Sequence, residues 1–172
     1  MANQFTYQII KDTTEHAVIK LTGSFDGSGQ EDNPNRISAS SLSGALNTEN
    51  GLLSIGGDAR EYYNLSINRI WYDCVNPNGA DVDIYWNADP TISAFILSGT
   101  YEYDGAGNWI TIPNAAKGTT GCNGDIGVRT RGFAANTSYT IILELRKDNA
   151  DYQRGQLTEP GAFNYPPYGV TP

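Results

Sequence analysis

Histidine and methionine each occur once in this 172-residue chain, cysteine occurs twice, and charged side chains make up only 17%. Each scarcity removes a class of function. Ser-His-Asp and Cys-His catalysis need an imidazole beside the nucleophile, and the single histidine, His16, lies in a strand pattern between Glu15 and Ala17, where a half-exposed strand residue is the simpler reading. Cys74 and Cys122 form neither a CxxC pair nor any other metal-ligand spacing, so a zinc site is not expected and both are read as free thiols. Basic residues number 11 against 19 acidic ones, a formal charge of −8, and they are dispersed along the chain, which argues against direct nucleic-acid binding. No apolar run approaches the roughly 18 residues of a membrane-spanning helix. The start, M-A-N-Q-F-T-Y-Q-I-I-K, has neither a basic nor a continuous apolar leader region, so the expectation is a soluble protein made in the cytosol, without membrane contact.

Present instead are 19 glycines, 11 tyrosines and an aromatic content of 11%, a mixture that favours short strands and many turns. The stretch Leu65–Trp86 organises the rest. Its second arm alternates, with Val82, Ile84 and Trp86 on one face and Asp81, Asp83 and Tyr85 on the other, as in a strand with one buried side. In the first arm Leu65, Ile67 and Trp71 share a face, interrupted by Arg69, while Ile70, Tyr72 and Cys74 share the other, so cover on both sides is expected. Pro77, Asn78 and Gly79 supply a turn, and the whole reads as a long hairpin.

A second hairpin joins Phe5–Lys11 to His16–Gly23 through Asp12, Thr13 and Thr14, with Asp12 suited to bond turn amides. Gly23 to Asn35 reads as an exposed loop, Ile37–Leu46 as a single helical turn capped by Ser38 or Ser41, and Leu52–Ile55 as a short strand. Thr91–Ser98 is an apolar strand, Tyr101–Tyr103 and Trp109–Ile112 flank a third hairpin turn at Asp104–Asn108, and Ile126–Arg131 and Ser138–Arg146 alternate as strands. Eight to ten short strands with regular turn signals predict an all-β fold, an antiparallel β-sandwich of jelly-roll type occupying residues 1–152. Residues 153–172 carry Pro160, Pro166, Pro167 and Pro172 between Phe163, Tyr165 and Tyr168, and are expected to form an extended C-terminal arm whose three rings dock on a partner.

Acids on a sandwich can always be paired on paper. Asp73, Asp81, Asp83, Glu102 and Asp104 could supply carboxylates for glycoside cleavage, but a solvated strand face is the plainer account of Asp81 and Asp83. Asp26, Ser28, Gln30, Glu31 and Asp32 form an oxygen-rich, Gly-containing loop of the kind calcium uses, without EF-hand spacing. Gly118–Gly124 lacks the helix and lysine of a phosphate loop, and the sequons at Asn64 and Asn136 are read as accidental. Trp71, Trp86 and Trp109 could form a sugar-stacking platform, but core packing explains Trp86 and Trp71 more simply. No cofactor is expected.

The runs I-W-Y-D-C, D-I-Y-W-N-A-D, G-D-I-G-V-R-T-R-G-F and S-Y-T-I-I-L-E-L-R-K, within residues 65–147, resemble small virion structural proteins of tailed bacteriophages, particularly of the marine cyanophage type. The resemblance implies a non-enzymatic virion component assembled in the host cytoplasm, a capsid decoration or cement protein that binds the major capsid protein, or else a neck or tail accessory protein. It also implies a homo-oligomer, with a trimer favoured by analogy. The reading from another class is a carbohydrate-binding sandwich, which needs two exposed coplanar rings.

Overall fold

The computed structural model describes residues 2–46, 62–75, 79–105, 110–148 and 151–152, and the backbone alone of 48–49, 52–55 and 58–60. The strands are β1 (Gln4–Asp12), β2 (His16–Phe25), β3 (Asp32–Ile37), β4 (Thr48–Glu49), β5 (Leu52–Ile55), β6 (Asp58–Arg60), β7 (Leu65–Val75), β8 (Asp81–Trp86), β9 (Ile92–Leu97), β10 (Gly99–Asp104), β11 (Ile112–Pro113), β12 (Ile126–Arg131) and β13 (Thr137–Lys147). Sheet A has the order β1-β2-β13-β7-β10, with β11 also on β7, and sheet B has the order β3-β12-β8-β9. A small third sheet joins β4, β5 and β6. Every pairing among the described residues is antiparallel. Sheets A and B pack face to face as an all-β sandwich: Ala17, Ile19, Leu21, Ile141, Leu143 and Leu145 from one meet Ile37, Val82, Ile84, Trp86, Ile126 and Val128 from the other in a single core. Each such buried aliphatic side chain contributes roughly 1.5–3 kcal/mol. No helix among the described residues is long and apolar enough to cross a membrane.

The alternation in β13 and in the apolar face of β8 appears as expected, because a period of two on a sheet with one core face leaves no choice of side. The first hairpin, β1 with β2, also forms, although Thr13 rather than Asp12 closes its turn by bonding both the amide and the carbonyl of His16. Asp12 instead accepts from Lys147 and from the Ser43 amide at 2.8 Å.

Three expectations change. The stretch 65–86 is not a hairpin. β7 fills both of its edges with β13 and β10 in sheet A, so the chain after it crosses to sheet B and β8 pairs with β12 and β9. Pro77 and Asn78 lie outside the described residues. Within β7, Glu144 pairs with Arg69 but Leu145 pairs with Ile67, leaving Asn68 as the extra residue of a bulge. That one-residue insertion reverses the phase, so Leu65, Ile67, Ile70 and Cys74 all enter the core and Trp71 turns to the outer face. Finally, β10 and β11 are not hairpin partners. Both pair with β7, β10 at residues 69–74 and β11 at 66–67, so β7 rather than β10 is the partner of β11.

Within the expected loop 23–35, β2 runs on to Phe25 and the polar segment from Asp32 forms β3, an edge strand that tolerates Pro34. The helical turn is a 3-10 turn, Ala39–Ser41, with Ser38 at its N-cap position but making no side-chain cap. Past β13 the chain returns to the core: Tyr152 is fully buried, its hydroxyl donates to Ala39 O at 3.0 Å and its ring lies 5.5 Å from that of Tyr63.

Candidate interaction surface

β1 is the outermost strand of sheet A, and it overhangs the sandwich. Across the core, the edge strand of sheet B is β3, and Arg36 on β3 reaches back to donate to Thr6 O at 2.7 Å and Thr22 O at 3.2 Å. Sheet B therefore ends near the line between β1 and β2. Phe5, Tyr7 and Ile9 pair with Gly23, Leu21 and Ile19, so they face the same way as the core, but they stand beyond the strand that would cover them. Phe5, Tyr7, Ile9 and the neighbouring Ile10 are 36, 39, 45 and 53% exposed, four large apolar side chains within six residues of one strand. Phe5 is braced edge-on by Phe25 at 5.5 Å and by the Arg36 guanidinium 5.8 Å from its ring. Among the described residues no strand pairs with its outer edge, so alternate backbone amides and carbonyls there are a template for another strand.

At its far end β1 is fixed. Lys147, almost fully buried, bonds Asp12, Thr13 O at 2.6 Å and Ser43 O at 2.8 Å, with the Tyr152 ring 5.0 Å away. Burial lowers the Lys147 pKa against the pull of Asp12. The result is a ledge anchored at its Asp12 end, with an apolar face and, among the described residues, an unpaired edge.

The outer face of sheet B is different. Asp83 was expected on a solvated face, yet it is 1% exposed. It accepts from Ser93 Oγ at 2.6 Å, Arg129 Nη2 at 2.8 Å and Arg131 Nη2 at 2.9 Å, and Asp81 lies 3.5 Å from Arg131. Tyr85 beside it is equally buried, donates to Asp32 at 2.8 Å and lies over Gly127, directly opposite on β12, where a Cβ would overlap its ring. The Arg129 guanidinium sits 5.1 Å from that ring, and its hydrogen bond to Asp83 raises its pKa. Both oxygens of Asp83 are thus engaged, Oδ1 by Ser93 and Oδ2 by the two arginines, while Arg129 Nε and Asp81 Oδ1 at the margin of the network are buried without a hydrogen bond.

The remaining candidates are placed as follows. Asp73, Glu102 and Asp104 belong to sheet A, on the other layer from Asp81 and Asp83; Asp73 accepts from Thr100 at 2.6 Å and Asp104 pairs with Arg69 at 2.9 Å. The calcium-type loop does not converge. Asp26 binds the Ser28 amide, Gln30 makes two hydrogen bonds to the backbone of Phe133, and Asp32 holds Tyr85. Glu31 is buried against Tyr139 and Arg36, and burial raises its pKa despite both. His16 lies 3.9 Å from Glu144 on the outer face of sheet A. Both cysteines are free and buried, the Cys74 thiol pushed up to about 12 by burial. Trp86 is in the core, whereas Trp71, expected there, is half-buried on the outer face with Arg69 6.0 Å from its ring. Trp109 and the arm residues Phe163, Tyr165 and Tyr168 lie outside the described residues.

Sequence reasoning missed the ledge. Its signal was present in Phe5, Tyr7 and Ile9, uncharged until Lys11, but the same alternation also describes an ordinary core face. No protein-family model, curated protein or solved structure matches this chain.

Proposed function

We propose that this is a non-enzymatic structural protein that works by assembly, and, following the resemblance, a decoration or cement protein on the capsid of a tailed bacteriophage. A neck or tail accessory position is the alternative within that class. The observation that carries the assembly reading is the β1 ledge, a long, uncharged, apolar edge of the type that monomeric β proteins protect. The strand orders add support, because β2-β13-β7-β10 facing β3-β12-β8-β9 follow the connectivity of a jelly roll, an architecture used in viral capsids. Quantitative mass spectrometry of purified particles tests the reading. Copies in proportion to the major capsid protein support decoration, about a dozen place the protein at the neck, and absence from particles refutes the phage role.

The carbohydrate-binding reading draws on one observation, the half-exposed outward ring of Trp71. Glycan binding that disappears in Trp71→Ala would favour it.

A further inference from the structure

We infer that the free edge of β1 pairs antiparallel with β1 of a second copy about a two-fold axis at Tyr7, joining two A sheets into one. The inference rests on the reading of the protein as an assembling structural protein and names its partner. The sequence of β1 is self-complementary in this register. Phe5 falls opposite Ile9 of the second copy, Tyr7 opposite its own mate, and Thr6 opposite Gln8, so apolar side chains meet on the ledge face and polar ones on the other. The bulge after Ile9 ends the pairing at the same point on both strands.

Charge points to the same occupant. Each copy carries −8, so most approaches between copies are repulsive. Gln4–Ile10 contains no charged side chain, Asp12 beyond it is neutralised by Lys147, and Arg36 lies against the strand at Thr6 O. Other edges are guarded: β3 carries Asp32, Pro34 and Arg36, and β10 carries Glu102 and Asp104. β9 presents one exposed large apolar side chain, Ile96, against four around β1. Phe5, Tyr7 and Ile9, the three on the paired face, expose roughly 240 Å² per copy, taking about 200 Å² for a whole large side chain. With the paired backbones added, the contact from both copies is on the order of 1,000 Å², the lower bound for a specific interface, so a weak, concentration-dependent dimer is expected.

The test is sedimentation velocity of the full chain at tens of micromolar, with two kinds of variant. Tyr7→Lys sets two ammonium groups directly opposite and is expected to yield monomer with an unchanged circular dichroism spectrum. Tyr7→Cys is expected to cross-link to itself on mild oxidation, because directly opposed Cα atoms lie roughly 4.5–5.5 Å apart, within disulfide reach. Phe5→Cys should cross-link to Ile9→Cys in a mixture but not to itself, while the native thiols, both buried, stay silent. Should Tyr7→Lys fail to fold, the cross-links decide. A wild-type monomer, a trimer, a dimer indifferent to Tyr7→Lys, or cross-linking in another pattern overturns the two-fold pairing and leaves the assembly reading standing. The expected dimer from a protein absent from particles supports the pairing and refutes the phage role.

Discussion

Replacing Asp83 with alanine is expected to destabilise the sandwich by about 2–4 kcal/mol, far more than a surface acid would. The carboxylate is 1% exposed and accepts three hydrogen bonds, from Ser93, Arg129 and Arg131. The neutral bond to Ser93 is worth about 1 kcal/mol. The two charge-assisted bonds would be worth about 1.5–3 kcal/mol each if fully buried. However, the arginine side chains are 35 and 50% exposed and can turn to water, which reduces each to about 0.5–1 kcal/mol. Leaving two guanidinium groups adjacent without their shared anion adds a further fraction. For a chain of this length the total corresponds to a fall in Tm of roughly 5–15 °C. Urea unfolding followed by far-ultraviolet circular dichroism and by the fluorescence of Trp86, on the same strand, provides the measurement. A double-mutant cycle with Arg129→Ala should show less than additive loss, since either change breaks the same bond. A midpoint for Asp83→Ala that corresponds to a change under about 0.5 kcal/mol would refute the reasoning and return Asp83 to an ordinary solvated face.

Gly127→Ala should cost about 1–3 kcal/mol by overpacking against the buried Tyr85 ring, read as a lowered urea midpoint, and Tyr85→Ala in the same background should remove most of the additional penalty. Burial raises the Asp125 pKa against its bonds from Ala39 N and Asn123, so the folded state holds this proton more tightly than the unfolded state. The stability of wild type minus Asp125→Asn should therefore fall as pH rises from the ordinary aspartate value of 3.8 through the raised one and be flat above it; a rising difference would contradict this. Tyr152→Ala should cost about 3–5 kcal/mol, as for other large buried rings, whereas deletion of residues 156–172 should leave circular dichroism and melting of the isolated subunit nearly unchanged.

Much of the architecture was legible because alternation is a local signal. Tyr139, Ile141, Leu143 and Leu145 could be assigned to a core face without knowing the neighbours of β13, and the same held for Val82, Ile84 and Trp86. Pairing partners were not legible, since period two marks a strand but not its sheet: β7 and β8 looked like a hairpin and lie in different layers. The bulge at Asn68 was invisible because its cause is the register against β13, and missing it sent Trp71 to the wrong face. β3 was hidden by its polarity and Pro34, both acceptable at an edge. Asp83 looked solvated because its arginine partners come from β12, some 46 and 48 positions away. The ledge was missed for a related reason. Phe5, Tyr7 and Ile9 have a core pattern, and only the end of sheet B at β3 leaves them uncovered.

Hydrogen exchange of the β1 amides tests most directly whether this edge is the surface through which the protein assembles. In dilute solution, the amides of Gln4–Ile10 that point away from β2 should exchange rapidly. In concentrated protein or on particles they should be protected in alternation along the strand, with the central amides of β13 unchanged. Equal exchange along β1 in the free and assembled states, with new protection at β9 or β10 instead, would contradict the account.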